Sequence, residues 1–208
     1  MELINSETLK NLTRSFASEC QDGAKYQYMA DEATTQKLEY ISTILKQLAT
    51  NEMAHAKVFY DYIAQNADQK DLIVDIKATY PMRHAPLLEM LNIKGEDEKK
   101  QAQTVYPAFA KTAKKEGFED VSKMFEEIAK IEAVHSLILQ ELHDRLSNNT
   151  LYSSTEATKY KCTNCGYVEK LKKAWRKCPL CKKGQGMVKI NLCCDGTDCH
   201  CASDSINN

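Results

Sequence analysis

Glu52-Met53-Ala54-His55 and, 80 residues later, Glu132-Ala133-Val134-His135 are two copies of one pattern, E-x-x-H. On a helix, positions i and i+3 share a face about 4.5 Å apart along the axis, so the carboxylate and the imidazole of each copy can reach one metal ion. A single copy is weak evidence, because Glu and His are ordinary on solvated helix faces. Two copies, each on the second helix of a pair, match a carboxylate–histidine di-metal site in the core of a four-helix bundle. That template also requires a lone glutamate from each remaining helix. On the first helix Glu19, in SFASECQ, shares a face with apolar Phe16 and is the natural choice, a solvent carboxylate being its alternative. The third helix offers Glu96, Asp97, Glu98 and Glu116, and periodicity does not choose among them. Acids at a helix start ordinarily face water and favour the dipole.

A second constellation follows. Cys162-Thr163-Asn164-Cys165-Gly166 and Cys178-Pro179-Leu180-Cys181 form C-x2-C-x12-C-x2-C. Each C-x-x-C turn aims two thiolates at one point, and the glycine after Cys165 lets the backbone turn sharply. Zinc ribbons share this spacing, and a single iron on four cysteines has the same tetrahedral geometry. Spacing alone favours zinc, whereas a carboxylate iron site in the same chain favours iron, because a one-electron relay then has a use. Tyr160, Tyr167 and Trp175 are the expected core of this small module.

The elements that must position these residues are mostly helical. Gly23 is the only glycine in the first 80 residues and Pro81 the first proline. Helices are expected over 6–35 and 38–65, with apolar positions three and four apart, as in Leu9, Leu12 and Phe16, then Ile41, Ile44, Leu45 and Leu48. Ser6 is the expected N-cap of the first. Residues 66–95, with Pro81, Pro86 and Gly95, read as a long crossover with room for one short helix; two further helices are expected at 96–116 and 118–147, broken at Gly117, the first kinked by Pro107. Two helix pairs joined by one long crossover make an all-α, ferritin-like four-helix bundle over 1–147. Ser/Thr/Asn-rich 148–158 reads as a linker, 159–191 as a small four-cysteine metal module, and 192–208 as a cysteine-rich tail. Cys193, Cys194, Cys199, His200 and Cys201 in that tail fit no recognisable site.

Composition sets bounds on function. With 28 Lys+Arg against 29 Asp+Glu, the formal net charge is −1, and no basic excess points to nucleic acid. No apolar run approaches the roughly 20 residues that span a bilayer, and the polar N-terminus lacks a signal-peptide layout. A cytoplasmic location is expected, where thiols stay reduced; eight of the nine cysteines fall after residue 160, and the four in the two C-x-x-C pairs read as metal ligands rather than disulfides.

Together these residues resemble the rubrerythrin family, over about residues 7–191, through FASE ending at Glu19, EMAH, EAVH, YPAFAKTAKKEGFED, KYKCTNCGY and CPLC. The resemblance implies a ferritin-like domain with a non-haem di-iron site and a small, β-rich, rubredoxin-like domain with one iron on four cysteines. It also implies reduction of hydrogen peroxide to water, a separate redox protein as electron donor, and a homodimer in which each rubredoxin-like centre lies near the partner's di-iron site. Glu19, Glu52, His55, Glu132 and His135 match family di-iron ligands; Cys162, Cys165, Cys178 and Cys181 match the rubredoxin-type ligands. The family carries two glutamates eight and five residues before the tyrosine of the YP motif, which here are Glu98, a match, and Gln101, a departure. In the family one iron is bound by the first E-x-x-H histidine when reduced and by the second of those glutamates when oxidised. Glu19, Glu52, Glu98 and Glu132 balance two ferrous ions, and losing a fifth carboxylate weakens the diferric state most. His55 is therefore expected to keep its iron in both states. The alternatives are a non-catalytic electron-transfer or metal-binding protein, and a ferroxidase-like iron-handling protein. Tyr26 and Tyr106 stand where each can hydrogen-bond a ligand carboxylate or fill the core.

Overall fold

In a computed structural model, which describes residues 2–67 and 71–193, the chain forms a ferritin-like four-helix bundle followed by a small β-hairpin module carrying the four cysteines. The helices are α1 (Glu7–Thr35), α2 (Glu39–Asn66), α3 (Leu87–Lys100), α4 (Tyr106–Glu116) and α5 (Glu119–Ser147). A π-helical turn, Gln101–Val105, joins α3 to α4, so that three segments make one arm of the bundle. Strands β1 (Ser153–Lys161) and β2 (Val168–Lys173) pair antiparallel, Lys161 opposite Val168 and Tyr160 opposite Glu169. Two compact units divide the chain. One holds Met1–Tyr26, Gln47–His84 and Asp97–Ala133, the other Gln27–Lys46, Ala85–Glu96 and Val134–Asn208. Among the described residues no helix is long and apolar enough to cross a membrane.

The first unit is organised around Leu9, Leu12, Phe59, Tyr106, Ala110, Val121, Phe125 and Ile128, all buried. The aromatic rings interlock: Phe59 and Phe125 are 5.4 Å apart between centroids, and Tyr106 stacks on Phe125 at 5.8 Å. Such pairs add directional packing to the burial itself. Ser6 caps α1 as expected, its Oγ accepting the Leu9 N–H at 3.0 Å. The two preceding amides are satisfied from the far end of α4: Glu116 accepts the Glu7 N–H at 3.0 Å, the Thr8 N–H at 2.8 Å and the Thr8 hydroxyl at 2.5 Å. Burial would raise the Glu116 pKa, but these donors outweigh it and hold the carboxyl below its ordinary value. A carboxylate depressed in this way stabilises the fold above its unfolded pKa and loses that contribution as pH falls through the folded value. Glu116→Gln is therefore expected to cost about 1 kcal/mol at neutral pH, the difference from wild type closing in acid. Denaturant melts at pH 7 and pH 3.5 check this, and equal gaps at both would contradict it.

The third arm begins earlier than its sequence suggests, at Leu87 rather than near residue 96. Pro86 stands just ahead of α3, where a ring-fixed φ suits helix entry, and its carbonyl accepts the Met90 N–H. Gly95, which reads as a break, lies inside α3 where α5 packs close. The Ser136 hydroxyl donates to its carbonyl at 2.8 Å, and a Cβ there would sit 3.5 Å from the Leu139 Cβ. The acids at 96–98 are consequently mid-helix, and the solvated helix-start reading does not apply to them. The expected disturbance at Pro107 takes the form of the π turn. Proline lacks the N–H that would bond the carbonyl four residues back, and one wide turn absorbs the mismatch. Gly117 ends α4 at φ 91°, a left-handed conformation that glycine adopts without penalty. Among its described residues the crossover after α2 has no regular element, but Tyr80 Oη donates to the Arg14 carbonyl at 3.1 Å and Arg14 Nε to the Lys77 carbonyl at 3.2 Å.

In the second unit the hairpin starts sooner than expected. Residues 153–158, read as linker, form the first part of β1, with a register irregularity between Ser153 and Thr158. The threonines that suggest a linker are also good strand formers. The module's core is small: Tyr160, Ala174 and Val188 are buried, with Tyr152, Leu171 and Trp175 packed on them. Tyr167 meets Trp175 edge-on at 5.3 Å. Asn191 closes the module, its carbonyl accepting from Arg145 at 3.0 Å and its amide donating to the Lys159 carbonyl at 3.0 Å. Cys193 is exposed, its N–H donating to Glu141 at 2.8 Å. Cys194, Cys199, His200 and Cys201 lie outside the described residues.

Candidate metal centres

Three helices aim side chains at one point in the first unit. Glu19 comes from α1, Glu52 and His55 from α2, and Glu132 from α5. A ligand atom of each lies within 4.8 Å of the others, and all four residues are buried. The i, i+3 spacing delivers Glu52 and His55 together, as the helical period requires. His55 Nδ1 stands 3.0 Å from Glu132 Oε1, 3.2 Å from Glu52 Oε2 and 3.7 Å from Glu19 Oε2. Burial alone would lower the His55 pKa, but bonding to Glu132, Glu19 and Glu52 outweighs it and pushes the pKa up to about 12. Glu19 is raised well above the ordinary carboxylate range, chiefly by burial and further by Glu132 and Glu52. Its Oε2 faces His55 Nδ1, and that interaction opposes the rise without cancelling it.

Buried carboxylates with a strong local preference for positive charge suit hard or borderline cations of the iron class. Without metal, a protonated His55 supplies that charge. His55 has a folded pKa above its ordinary 6.5, so its stabilising contribution is complete below 6.5 and declines as pH rises towards about 12. Glu19, also raised, acts in the same direction. The metal-free bundle is expected to melt at lower temperature at pH 9 than at pH 6. Calorimetry on chelated protein checks this, and a flat or rising Tm would contradict it.

Tyrosines hold two of the carboxylates. Tyr26 Oη donates to Glu98 Oε1 at 2.5 Å, and Tyr106 Oη donates to Glu19 Oε1. Tyr26 is fully buried, and burial together with Glu98, Glu52 and Glu132 raises its pKa well above 10, so it remains a neutral donor. Both tyrosines thus bond carboxylates while also filling the core. Glu98 is 1% exposed and His135, one turn after Glu132 on α5, is 2% exposed. Neither belongs to the set of four that converges. The other third-arm acids do different work: Glu116 caps α1, Asp97 pairs with Arg83 at 3.1 Å, and Glu96 is exposed. His84 is exposed and His143 pairs with Asp144 at 2.9 Å. Cys20 is half-buried, burial raising its thiol pKa.

Sequence reasoning missed Asp22. It is 3% exposed, and its Oδ2 accepts the Gln101 side-chain N–H at 2.9 Å while Lys25 bonds Oδ1 at 3.1 Å. The available signal was its spacing, three residues after Glu19 and four before Tyr26, on their shared face. Asp22, Lys25, Gln101 and Tyr106, with Arg14 and Tyr80, line a cavity of about 290 Å³.

In the second unit the four cysteines form the other centre, their sulfurs all within 4.8 Å of one another. Cys162 and Cys181 sulfurs are 3.7 Å apart, as are those of Cys165 and Cys178. A tetrahedral ion with metal–sulfur bonds of about 2.3 Å has edges of about 3.8 Å, so the array fits one ion with little adjustment. Two similar turns build it: Gly166 N–H bonds the Cys162 carbonyl at 2.9 Å and Lys182 N–H the Cys178 carbonyl at 3.0 Å. Gly166 and Lys182 are both left-handed, at φ 78° and 61°. Cys181, receiving the Lys183 amide, is held down to about 6. For Cys165, the Tyr167 amide lowers the pKa, but burial and the other three thiols push it up to about 12. The Cys181 thiolate is stabilised at the expense of Cys165, which is relieved when a metal takes all four.

Comparison with known proteins agrees with this architecture. The Rubrerythrin family model matches residues 10–93 and 90–174. A rubrerythrin of Clostridium perfringens is 33% identical over 190 residues, covering 90% of this chain and 96% of its own. A rubrerythrin of Porphyromonas gingivalis is 32% identical over 181 residues, covering 86% and 88%. Among solved structures, nigerythrin in a partially reduced state superposes with a TM-score of 0.58 at 23% identity, covering 88% of this chain and 86% of its own, which speaks to the fold. With a bundle centre of carboxylates and histidine, a four-cysteine module later in the chain and relatives alike along nearly their whole length, the chain belongs to the rubrerythrin family.

Proposed function

We propose that the protein reduces hydrogen peroxide to water at a di-iron centre in the bundle, re-reduced through one iron on the four cysteines. The observation that carries this reading is the presence, in one chain, of a buried Glu19–Glu52–His55–Glu132 cluster and a four-thiolate array. The full ligand set is Glu19, Glu52, His55, Glu98, Glu132 and His135 for the pair, and Cys162, Cys165, Cys178 and Cys181 for the single iron. When bound, ferrous ions at the first centre supply the two electrons that cleave the O–O bond, and iron at the second passes electrons singly.

The protein's own contribution is charge, orientation and protons. Four glutamates set a charge of −4 against two divalent ions. Tyr106, locked by stacking on Phe125, fixes which oxygen of Glu19 is free to face the metals, and Tyr26 does the same for Glu98. The cavity beside Tyr106 gives a small polar oxidant and two protons an approach from solvent, with Lys25 and Arg14 at its wall. A cytoplasmic setting keeps the thiols reduced, and a donor protein and a homodimer complete the working unit.

Iron-loaded protein with an artificial reductant tests the reading. Peroxide consumed at one molecule per two electrons supports it. Oxidation of added ferrous ion without catalytic peroxide use would mark an iron-handling protein, and no turnover of either would mark an electron carrier.

A further inference from the structure

Gln101 and Asp22 form a pair that the reading above does not use. Asp22 lies on α1 one turn after Glu19 and one turn before Tyr26, so the three side chains follow one face of the helix. It is 3% exposed, deeper than a solvated acid, and each of its oxygens has a donor: the Gln101 amide at 2.9 Å and the Lys25 ammonium at 3.1 Å. Burying a carboxylate is costly unless it is paired, and here a residue 79 positions away in the chain is turned towards it. Gln101 is the first residue of the π turn, where the widened helix sets its side chain off the ordinary α register.

We propose that Asp22 supplies a fifth carboxylate charge to the bundle centre from one helical turn beyond Glu19, on α1 instead of on the third arm and without ligating metal, and that Gln101 is its holder and not a metal ligand. A carboxylate at 101 would face the Asp22 carboxylate at hydrogen-bond distance, and two such acids cannot both stay ionised. An amide at 101 donates to Asp22 instead, so the pair carries one negative charge and that charge belongs to Asp22. Beside Glu19, this charge favours the more positive, oxidised state of the centre over the reduced one, and it acts through space, as a positioning residue for charge, with Lys25 partly screening it from the solvent side.

This inference rests on the di-iron reading, and its test separates the two. Iron-loaded wild type, Asp22→Asn, Gln101→Glu and the double variant D22N/Q101E are titrated electrochemically, with the bundle irons followed by electron paramagnetic resonance and the four-cysteine iron by its visible absorption. In D22N the midpoint potential of the bundle centre is expected to shift upward, with two bundle irons still bound and the four-cysteine potential unmoved. D22N/Q101E, which returns the carboxylate to the third arm and keeps the hydrogen bond, is expected to bring the potential back towards wild type. An iron-loaded D22N with the wild-type potential, or a double variant no closer to wild type than D22N, would overturn the inference alone. A wild-type bundle that binds no iron pair would overturn the di-iron reading and this inference with it.

Discussion

Glu132→Ala empties the bundle of its metal pair and leaves the four-cysteine site loaded: that is the largest single-residue effect expected. Glu132 is fully buried, its Oε1 lies nearest of the three carboxylates to His55 Nδ1, and it raises the pKa of Glu19 across the site. It stands at the centre of the cluster's charge. Removing it takes a quarter of the −4 that balances two ferrous ions, in an interior where solvent cannot replace it. Even residues that only support a ligand typically cost 10–100-fold in metal affinity, so a direct ligand is expected to cost at least about 100-fold, and peroxide turnover falls to background. Metal analysis after dialysis checks this, the single iron of the second centre serving as internal control. Two bundle irons retained would remove Glu132 from the ligand set.

The second large effect divides the protein's cycle in two. Cys178→Ser breaks the four-thiolate array at a fully buried sulfur. The module buries few apolar side chains, Tyr160, Ala174, Val188 and Ile190 among them, so metal binding, with apparent values of about 10–16 kcal/mol in small zinc domains, supplies much of its folding free energy. The variant is expected to lose the bound metal, become protease-sensitive between β1 and Asn191, and stop steady-state turnover. Its reduced bundle, loaded beforehand, still gives one round of peroxide-dependent oxidation. Normal steady-state rates with a physiological donor would mean that electrons do not pass through the cysteine module.

Much of this was legible because short-range geometry carries it. The E-x-x-H pairs and the C-x-x-C turns each place two donors together within one helical turn or one tight loop, whatever the rest of the chain does. Glu98 was different: four acids on the third arm looked equivalent, and the family's YP spacing singled it out. In the structure Glu98 is the buried one of the four, held by the Tyr26 hydroxyl from 72 residues away. What stayed hidden depends on such distant partners. Gly95 reads as a helix break because its packing against Leu139 and Ser136 of α5 is invisible locally. Thr155 and Thr158 suit a linker or a strand equally until β2 supplies the pairing. Gln101 looked like a lost carboxylate, since nothing near it in the sequence shows that Asp22 stands opposite. If Asp22 acts as proposed, the charge deficit expected for the oxidised state is smaller, in line with the expectation that His55, facing three carboxylates, keeps its iron in both states.

The central claim is that electrons stored in both centres of one chain end on peroxide. Fully reduced, fully iron-loaded protein is mixed with sub-stoichiometric hydrogen peroxide in the absence of oxygen, and peroxide loss is followed together with the visible absorption of the ferric four-thiolate iron. The prediction is that each peroxide consumed removes two electrons from the protein, and that the ferric-thiolate band grows in once the bundle centre has reacted. Peroxide left unconsumed, or a ferric-thiolate band that appears at the same rate in Glu132→Ala, would contradict it.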